Sequence, residues 1–412
     1  MDLPFLRRFN AALDYRELDP DTEEGQWYYV PLHGVALGEV GEVQTHILLS
    51  ASSVQGVTGP SGSGKSTELL RLRRNLEAEG CWVAYVDTLR YLSETSPLGI
   101  VDFLIALALG VVDAHDHPDE PSRVADLWER IKGLRVNVSG ATVGVGPVVV
   151  DLKAELKSNE SFVQRLRAEL EPNLAQFTRQ IQAFIAEQLP AEGQSVVIVD
   201  QTEKISGTPT VHESIRDVFL HHGERLQVPG AHVVYTLPPY LPILATGILK
   251  TFTAPVRQVL SVTVRDRASG EWRPEALDCL RTVVARRQPA WERLVTPDDL
   301  DRVLRASGGQ LRDLFLLLRE VIAVTVTRGE EHPVDPELVS TAIGNVRSQF
   351  GLMTAESAEL LEAIRATSGL YKPPEAEILK VADLLQTHVL LVHRNGAWWW
   401  EIHPLADTSL DL

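Results

Sequence analysis

The sequence predicts an α/β fold: a parallel sheet with an inserted β-hairpin, then a helical section, then a small terminal module of helices and a hairpin. Three observations lead there. Short apolar runs at Val54–Thr58, Cys81–Asp87, Ser195–Asp200 and Ala231–Thr236 alternate with segments of helical spacing, the pattern of strand, crossover helix and parallel strand. From Pro274 onward the β-forming runs give way to capped helical segments. Near the end, two β-runs meet through Arg394-Asn395-Gly396, and Asn-Gly between such runs is the strongest short-range hairpin signal.

The first strand, Val54-Gln55-Gly56-Val57-Thr58, runs into Gly59-Pro60-Ser61-Gly62-Ser63-Gly64-Lys65-Ser66-Thr67, a complete G-x-x-x-x-G-K-[ST] pattern. Behind it, Leu69, Leu70, Leu72 and Leu76 stand at near-helical spacing. A loop that wraps a triphosphate must bring backbone N–H groups against anionic oxygens, and Gly59, Gly62 and Gly64 remove the Cβ atoms that would block the approach. Pro60, Ser61 and Ser63 fill out the loop, Lys65 would reach the β and γ phosphates, Ser66 would ligate Mg²⁺, and Thr67 closes the motif. The helix opening at Lys65 adds the positive end of its dipole. A glycine-rich turn can match such a pattern by chance, but strand before and helix after is the context the motif requires. ATP or ADP with Mg²⁺ are the expected ligands.

Ahead of that strand, an acidic run at Asp19–Glu24 leads into Trp27-Tyr28-Tyr29, where Tyr28 or Tyr29 serves either as core packing or as a stacking platform for a base. After the loop, Cys81–Asp87 is the second strand, Ile100–Val112 an apolar helix and Asp126–Leu134 another. Residues 135–152 carry Val136, Val138, Val143 and Val145 with interleaved glycines and are expected to form the inserted hairpin, a surface excursion or an arm for a partner. Ser161–Leu189 has one apolar stripe of helical period, with Pro172 placed to kink or split it.

Ser195–Asp200 is a run of β-formers ending on an acid, the expected carboxylate ligand of Mg²⁺; capping is the alternative use of Asp200. Hydrolysis needs a group that positions or deprotonates water. Gln201 follows Asp200 directly and can orient water without being a base, while Glu203 is the nearest carboxylate, so slow turnover is expected. Thr236 ends the fourth strand on a hydroxyl that could bond a γ-phosphate or the water, and Val256–Val264 is the expected fifth strand.

Helices follow at Pro274–Arg287 and from Thr296, whose hydroxyl caps while Pro297 takes the first helical position. Ser307-Gly308-Gly309-Gln310-Leu311-Arg312-Asp313 opens another, running to about Val326. An arginine in a first turn opposes the helix dipole, so Arg312 is either solvated or placed there for a phosphate. Asp335–Phe350, Ser357–Ala366 and Glu375–Gln386 are further helices, followed by strands His388–His393 and Ala397–Ile402.

The order GPSGSGKST, VVIVDQTEK, a strand ending on Thr236, SGGQLRD and a terminal helix-and-hairpin module resembles P-loop ATPases of the AAA+ and STAND group, especially bacterial, origin-recognition and transposition ATPases. The resemblance covers about residues 28 to 405, and its phosphate loop is the specific part. It implies a P-loop NTPase sheet of order 5-1-4-3-2, a helical lid and a winged helix. Thr236 would be sensor 1, Arg312 sensor 2 and Glu203 the second acid of the STAND-type D-x-x-[DE] pattern. Gln201 departs from the usual second acid, Arg257 is the candidate for a residue acting across a subunit interface, and His403 matches an ADP-sensing histidine only loosely, a structural role being the simpler one.

At 412 residues two or three domains are expected, set at 1–265 for the ATPase core, 266–350 for the lid and 351–412 for the winged helix. The formal net charge of −17 disfavours indiscriminate nucleic-acid binding. Cys81 and Cys279 give neither a disulfide framework nor metal spacing, which fits a reducing cytoplasm. Residues 1–15 lack a leader's apolar core, and Asp102 and Asp113 interrupt the most apolar stretch, so no membrane segment is expected. The function expected is a slow ATPase switch that assembles as a homo-oligomer or recruits an effector protein, as in bacterial antiviral defence. The alternative is a DNA-handling ATPase whose winged helix binds DNA. A basic wing would favour DNA, whereas Trp398, Trp399 and Trp400, expected to be exposed, favour protein. A small-molecule kinase lacks the arginine cluster its substrate would need.

Overall fold

The computed structural model describes residues 2–32, 38–115, 120–134, 152–244, 246–329, 333–350, 354–395, 397–407 and 409–410. They divide into two compact units: a first of residues 1–38, 59–71 and 258–412, and a second of 39–58 and 72–257. The hairpin expected at 135–152 lies outside the described residues up to Leu152, where a helix Leu152–Ser158 begins.

Strands β1 (Ser53–Thr58), β2 (Trp82–Asp87), β3 (Ser195–Asp200) and β4 (Ala231–Leu237), with the short β5 (Arg257–Gln258), make a five-stranded sheet of order β2-β3-β4-β1-β5. The pairings β1 with β4, β2 with β3 and β3 with β4 are parallel. β1, β3 and β4 are buried along their whole length, which is why their sequences are continuous β-forming runs and not alternating ones. The helix Ile100–Asp113 is buried from Ile100 to Val112, as an all-round apolar helix must be. Its Gly110 sits so close to β2 that an added Cβ would come within 2.2 Å of a Val86 methyl. Arg167 donates to both carboxylate oxygens of the buried Asp102, at 2.7 and 2.8 Å, and to Pro97 O at 2.6 Å.

The long helical stripe is two helices, Glu160–Leu170 and Leu174–Gln188, divided by a 3-10 turn at Glu171–Asn173. The break falls at Pro172, which has no N–H to continue the ladder. The helix expected from Asp126 starts at Glu120. The fifth strand is a correction: of Val256–Val264 only Arg257–Gln258 is strand. Val262 instead donates its N–H to Gly309 O at 3.2 Å, and Val262 and Val264 pack into a helical core, so the run's apolarity reflects burial without a ladder.

The first unit is that helical core. Phe5, Phe9, Leu280, Leu300, Leu304, Leu318 and Leu338 bring together helices Leu3–Ala12, Pro274–Arg287, Pro297–Ala306, Leu311–Arg328 and Pro336–Phe350. Thr296 accepts from Asp299 N at 3.2 Å and Pro297 opens the helix, as read from the sequence. Ala355–Ala366 and Ile378–Gln386 precede an antiparallel hairpin of β6 (Leu390–Asn395) and β7 (Ala397–Ile402). Here a second correction arises: Trp398 is exposed, but Trp399 is buried with its ring 4.6 Å from that of His393, and the half-buried Trp400 donates Nε1–H to Tyr371 O at 3.0 Å. Strand alternation turns Trp399 inward, so the three tryptophans do not form one exposed patch. Tyr28 and Tyr29 are covered by guanidinium groups, Arg287 at 4.4 Å and Arg71 at 3.7 Å. Among the described residues no helix is long and apolar enough to cross a membrane.

Candidate functional site

Parallel pairing in the second unit aligns the carboxyl ends of four strands. Thr58 stands opposite Leu237, Val57 opposite Thr236, and Asp87 opposite Asp200. That edge is where open α/β sheets place ligands. Asp200 is fully buried, and both of its carboxylate oxygens are held: Oδ1 accepts Gln201 N–H at 2.7 Å and Oδ2 accepts the Tyr85 hydroxyl at 2.5 Å. These two bonds fix the orientation of the carboxylate at the end of β3. Thr88 adds a bond from its hydroxyl to Asp200 O at 2.9 Å.

Gln201 has φ of +69°, a left-handed conformation that costs an L-residue roughly 1–2 kcal/mol. The turn it makes swings Thr202–Lys204 back toward β4, where Thr202 N donates to Thr236 Oγ1 at 3.1 Å. Asp200, Gln201, Glu203 and Thr236 are thus gathered at one strand-end corner. The Gln201 side-chain oxygen accepts from Lys204 Nζ at 2.9 Å, and Glu203 is buried. Arg257 is ion-paired with Glu42 of its own unit.

In the chain the glycine loop follows Thr58 directly, and it belongs to the first unit. Gly59, Gly62 and Gly64 all have positive φ, at 155°, 78° and 96°. A Cβ on Gly59 would lie 2.0 Å from Val259 O, and one on Gly62 would lie 2.7 Å from the Cβ of Arg312. Sequence distance therefore hides a direct contact: the arginine singled out in the helix Leu311–Arg328 packs on the loop's central glycine. Its guanidinium lies 5.4 Å from the Tyr15 ring and has no carboxylate partner among the described residues. Lys65 is buried and donates to Gly59 O at 2.8 Å and Pro60 O at 3.0 Å, and Leu18 N donates to Thr67 Oγ1 at 3.1 Å.

The loop also passes a test of fit for an anionic ligand. Ser63 is buried, and its hydroxyl has no hydrogen-bond partner among the described residues. Gln310, immediately before the helix of Arg312, is fully buried, and among the described residues neither its amide nitrogen nor its oxygen has a partner. Buried groups of this kind cost about 1–3 kcal/mol when left unpaired, and at Ser63, within the loop, a phosphate oxygen would supply the missing acceptor. Gln310 was not singled out from the sequence. Replacing it with methionine is expected to raise the stability of the protein by about 1 kcal/mol, because the buried amide disappears; denaturant titration of the two chains would check the sign. Among the described residues no cluster of three His, Cys, Asp or Glu side chains could hold a metal by itself.

No family model matches the chain. A 71-residue stretch is 30% identical to the glycine cleavage system H protein of Bordetella pertussis, covering 17% of this chain and 57% of that protein. The chain thus spans little more than half the length of that curated relative. Similar solved structures are the Walker-type ATPase of Pyrococcus abyssi, with a TM-score of 0.44 and 10% identity over 96% of this chain and 98% of that one. CDC6P from Pyrobaculum aerophilum has 0.40 and 13% over 92% and 94%. The Aeropyrum pernix ORC1 protein in complex with DNA has 0.37 and 13% over 91% and 90%. At scores of this size the assignment rests on the chain's own residues.

Proposed function

We propose that the chain binds ATP and ADP at the loop Gly59–Thr67 and hydrolyses ATP slowly, as a nucleotide-controlled switch. The observation that carries this is the loop itself: glycines at positive φ, a buried Ser63 hydroxyl with no partner among the described residues, and the Arg312 side chain packed on Gly62. In this reading Lys65 and Arg312 meet phosphate charge. The sequence pattern gives Ser66, in the first unit, a hydroxyl and Asp200, in the second, a carboxylate of the kinds that ligate Mg²⁺, an ion that would contribute charge neutralisation and Lewis acidity. Thr236 fixes the turn that carries Gln201 and Glu203.

Slow turnover is supported by two features of that corner. No carboxylate follows Asp200 directly, and the Gln201 amide oxygen is engaged by Lys204. Glu203 remains the candidate base. Titration with fluorescent ATP and ADP analogues, followed by steady-state phosphate release, tests the proposal. Saturable binding with fewer than about one turnover per second is expected, at the bottom of the usual range for enzymes. Many turnovers per second would sink the switch, and absence of binding would sink the site.

We divide the chain, for this function, into an ATPase core at 1–265, a lid at 266–350 and a winged helix at 351–412. The output is proposed to be protein contact, with a second copy or an effector, because the formal charge is −17 and the hairpin's exposed Arg394 stacks against Trp398 at 5.6 Å. The setting in antiviral defence has no residue of this chain behind it and forms no part of the proposal. Light scattering with ADP, ATP and a slow analogue should show a change in mass. Salt-dependent nanomolar binding of duplex DNA by the full chain would instead select the DNA-handling alternative.

A further inference from the structure

The first turn of the helix Leu311–Arg328 is held by two histidines of the terminal module. Asp313, next to Arg312, is buried, and its Oδ2 lies 3.4 Å from His388 Nδ1 and 3.3 Å from His403 Nε2. His388 is buried at a positive φ of 61° in the turn before β6, and His403 is fully buried just after β7. His403 Nδ1 accepts from Leu405 N at 3.1 Å, which leaves the Nε2 hydrogen to point at Asp313 and at Ser307 O, 3.1 Å away. Burial alone would push the Asp313 carboxyl up, but the two imidazole hydrogen bonds more than offset it and hold the group well below the ordinary carboxylate range.

The same hairpin closes on the turn ahead of the helix. A Cβ on Gly308 would lie 2.8 Å from both Leu391 and Pro404, and one on Gly309 would lie 1.8 Å from Val262 O. Both glycines have positive φ, so Ser307–Gln310 is a turn that only this packing and these residues allow. Contact therefore runs from Gly62 to Arg312, and from the adjacent Asp313 to two histidines of the terminal module, all within the first unit.

We propose that Asp313 is a positioning residue for Arg312: His388 and His403 fix the first helical turn through it, and so hold the arginine against the phosphate loop. The terminal module is then part of the machinery that grips phosphate, and not only the output of a switch. This rests on the nucleotide-binding reading of the loop.

The test is a double-mutant cycle in the full chain, with Arg312→Ala, Asp313→Asn and the pair, reading affinity for a fluorescent ATP analogue and the thermal midpoint. Arg312→Ala is expected to weaken binding about tenfold, Asp313→Asn about three- to tenfold, and the double variant no more than Arg312→Ala alone. An independent contribution would make the double variant's loss the product of the two. A merely stabilising residue would lower the midpoint and leave affinity untouched. Either outcome overturns the proposal. If Asp313→Asn does not fold, His388→Asn, which leaves His403 on Asp313, takes its place in the same cycle with the same criteria. Failure of the wild-type chain to bind the analogue would instead remove the underlying reading of the loop, a result distinct from binding that Arg312 controls and Asp313 does not.

Discussion

Replacing Lys65 with alanine is expected to weaken ATP binding more than about a hundredfold, with an unfolding midpoint within a few degrees of wild type. The ammonium is buried and held on Gly59 O and Pro60 O, so it is poised along the loop before any ligand arrives. A charge-assisted bond to phosphate in such a place is worth far more than one in water. Loss of the side chain leaves the carbonyls of the buried Gly59 and Pro60 without this donor, a cost of about 1–3 kcal/mol that moves the midpoint of a chain this long by only a few degrees. Isothermal titration with ATP together with a melting curve checks both halves. Wild-type affinity in the variant would show that the loop does not bind phosphate through its lysine.

The largest expected loss of stability lies elsewhere, at Arg167. Arg167→Leu should cost about 3–5 kcal/mol, because it strands the carboxylate of Asp102, only 4% exposed, without its cation. Asp102 also accepts Gly99 N–H at 3.1 Å at the start of its helix, and Arg167 ties Pro97 O to the same point, so one substitution loosens a helix entry and the loop before it. Adding Asp102→Asn should recover part of the loss, since the orphaned charge disappears. Denaturant titration of the four chains measures this. A loss within about 0.5 kcal/mol of zero for Arg167→Leu would mean that solvent already satisfies the pair.

What could be read from the sequence was what depends on neighbours along the chain. The runs that became β1 to β4, the capped helix at Thr296 and the split at Pro172 are set by periodicity, a hydroxyl and a missing N–H. The loop's glycines were legible for the same reason. Long-range partners were not. Tyr85 reaches Asp200 only because β2 and β3 pair in a particular register across a long intervening segment. Asp313 meets His388 and His403 through folding of the terminal module, and no local spacing announces it. Val256–Val264 has the composition of a strand, yet apolarity reports burial and not the presence of a hydrogen-bonding neighbour. Trp399 and Trp400 illustrate the converse, since three adjacent aromatics cannot all face solvent from one strand.

The division of the chain into units has a consequence for the order in which the protein is made. Residues 59–71 belong with segments that follow residue 257, and Val259 and Arg312 are the groups that close on Gly59 and Gly62. A ribosome releases the loop early and its packing partners late. The sheet-bearing unit has all its residues once position 257 has emerged, whereas the phosphate loop waits for the helix that carries Arg312. The loop therefore reaches its packed conformation only after the helix Leu311–Arg328 has emerged, when the residues of the sheet-bearing unit have already had time to fold.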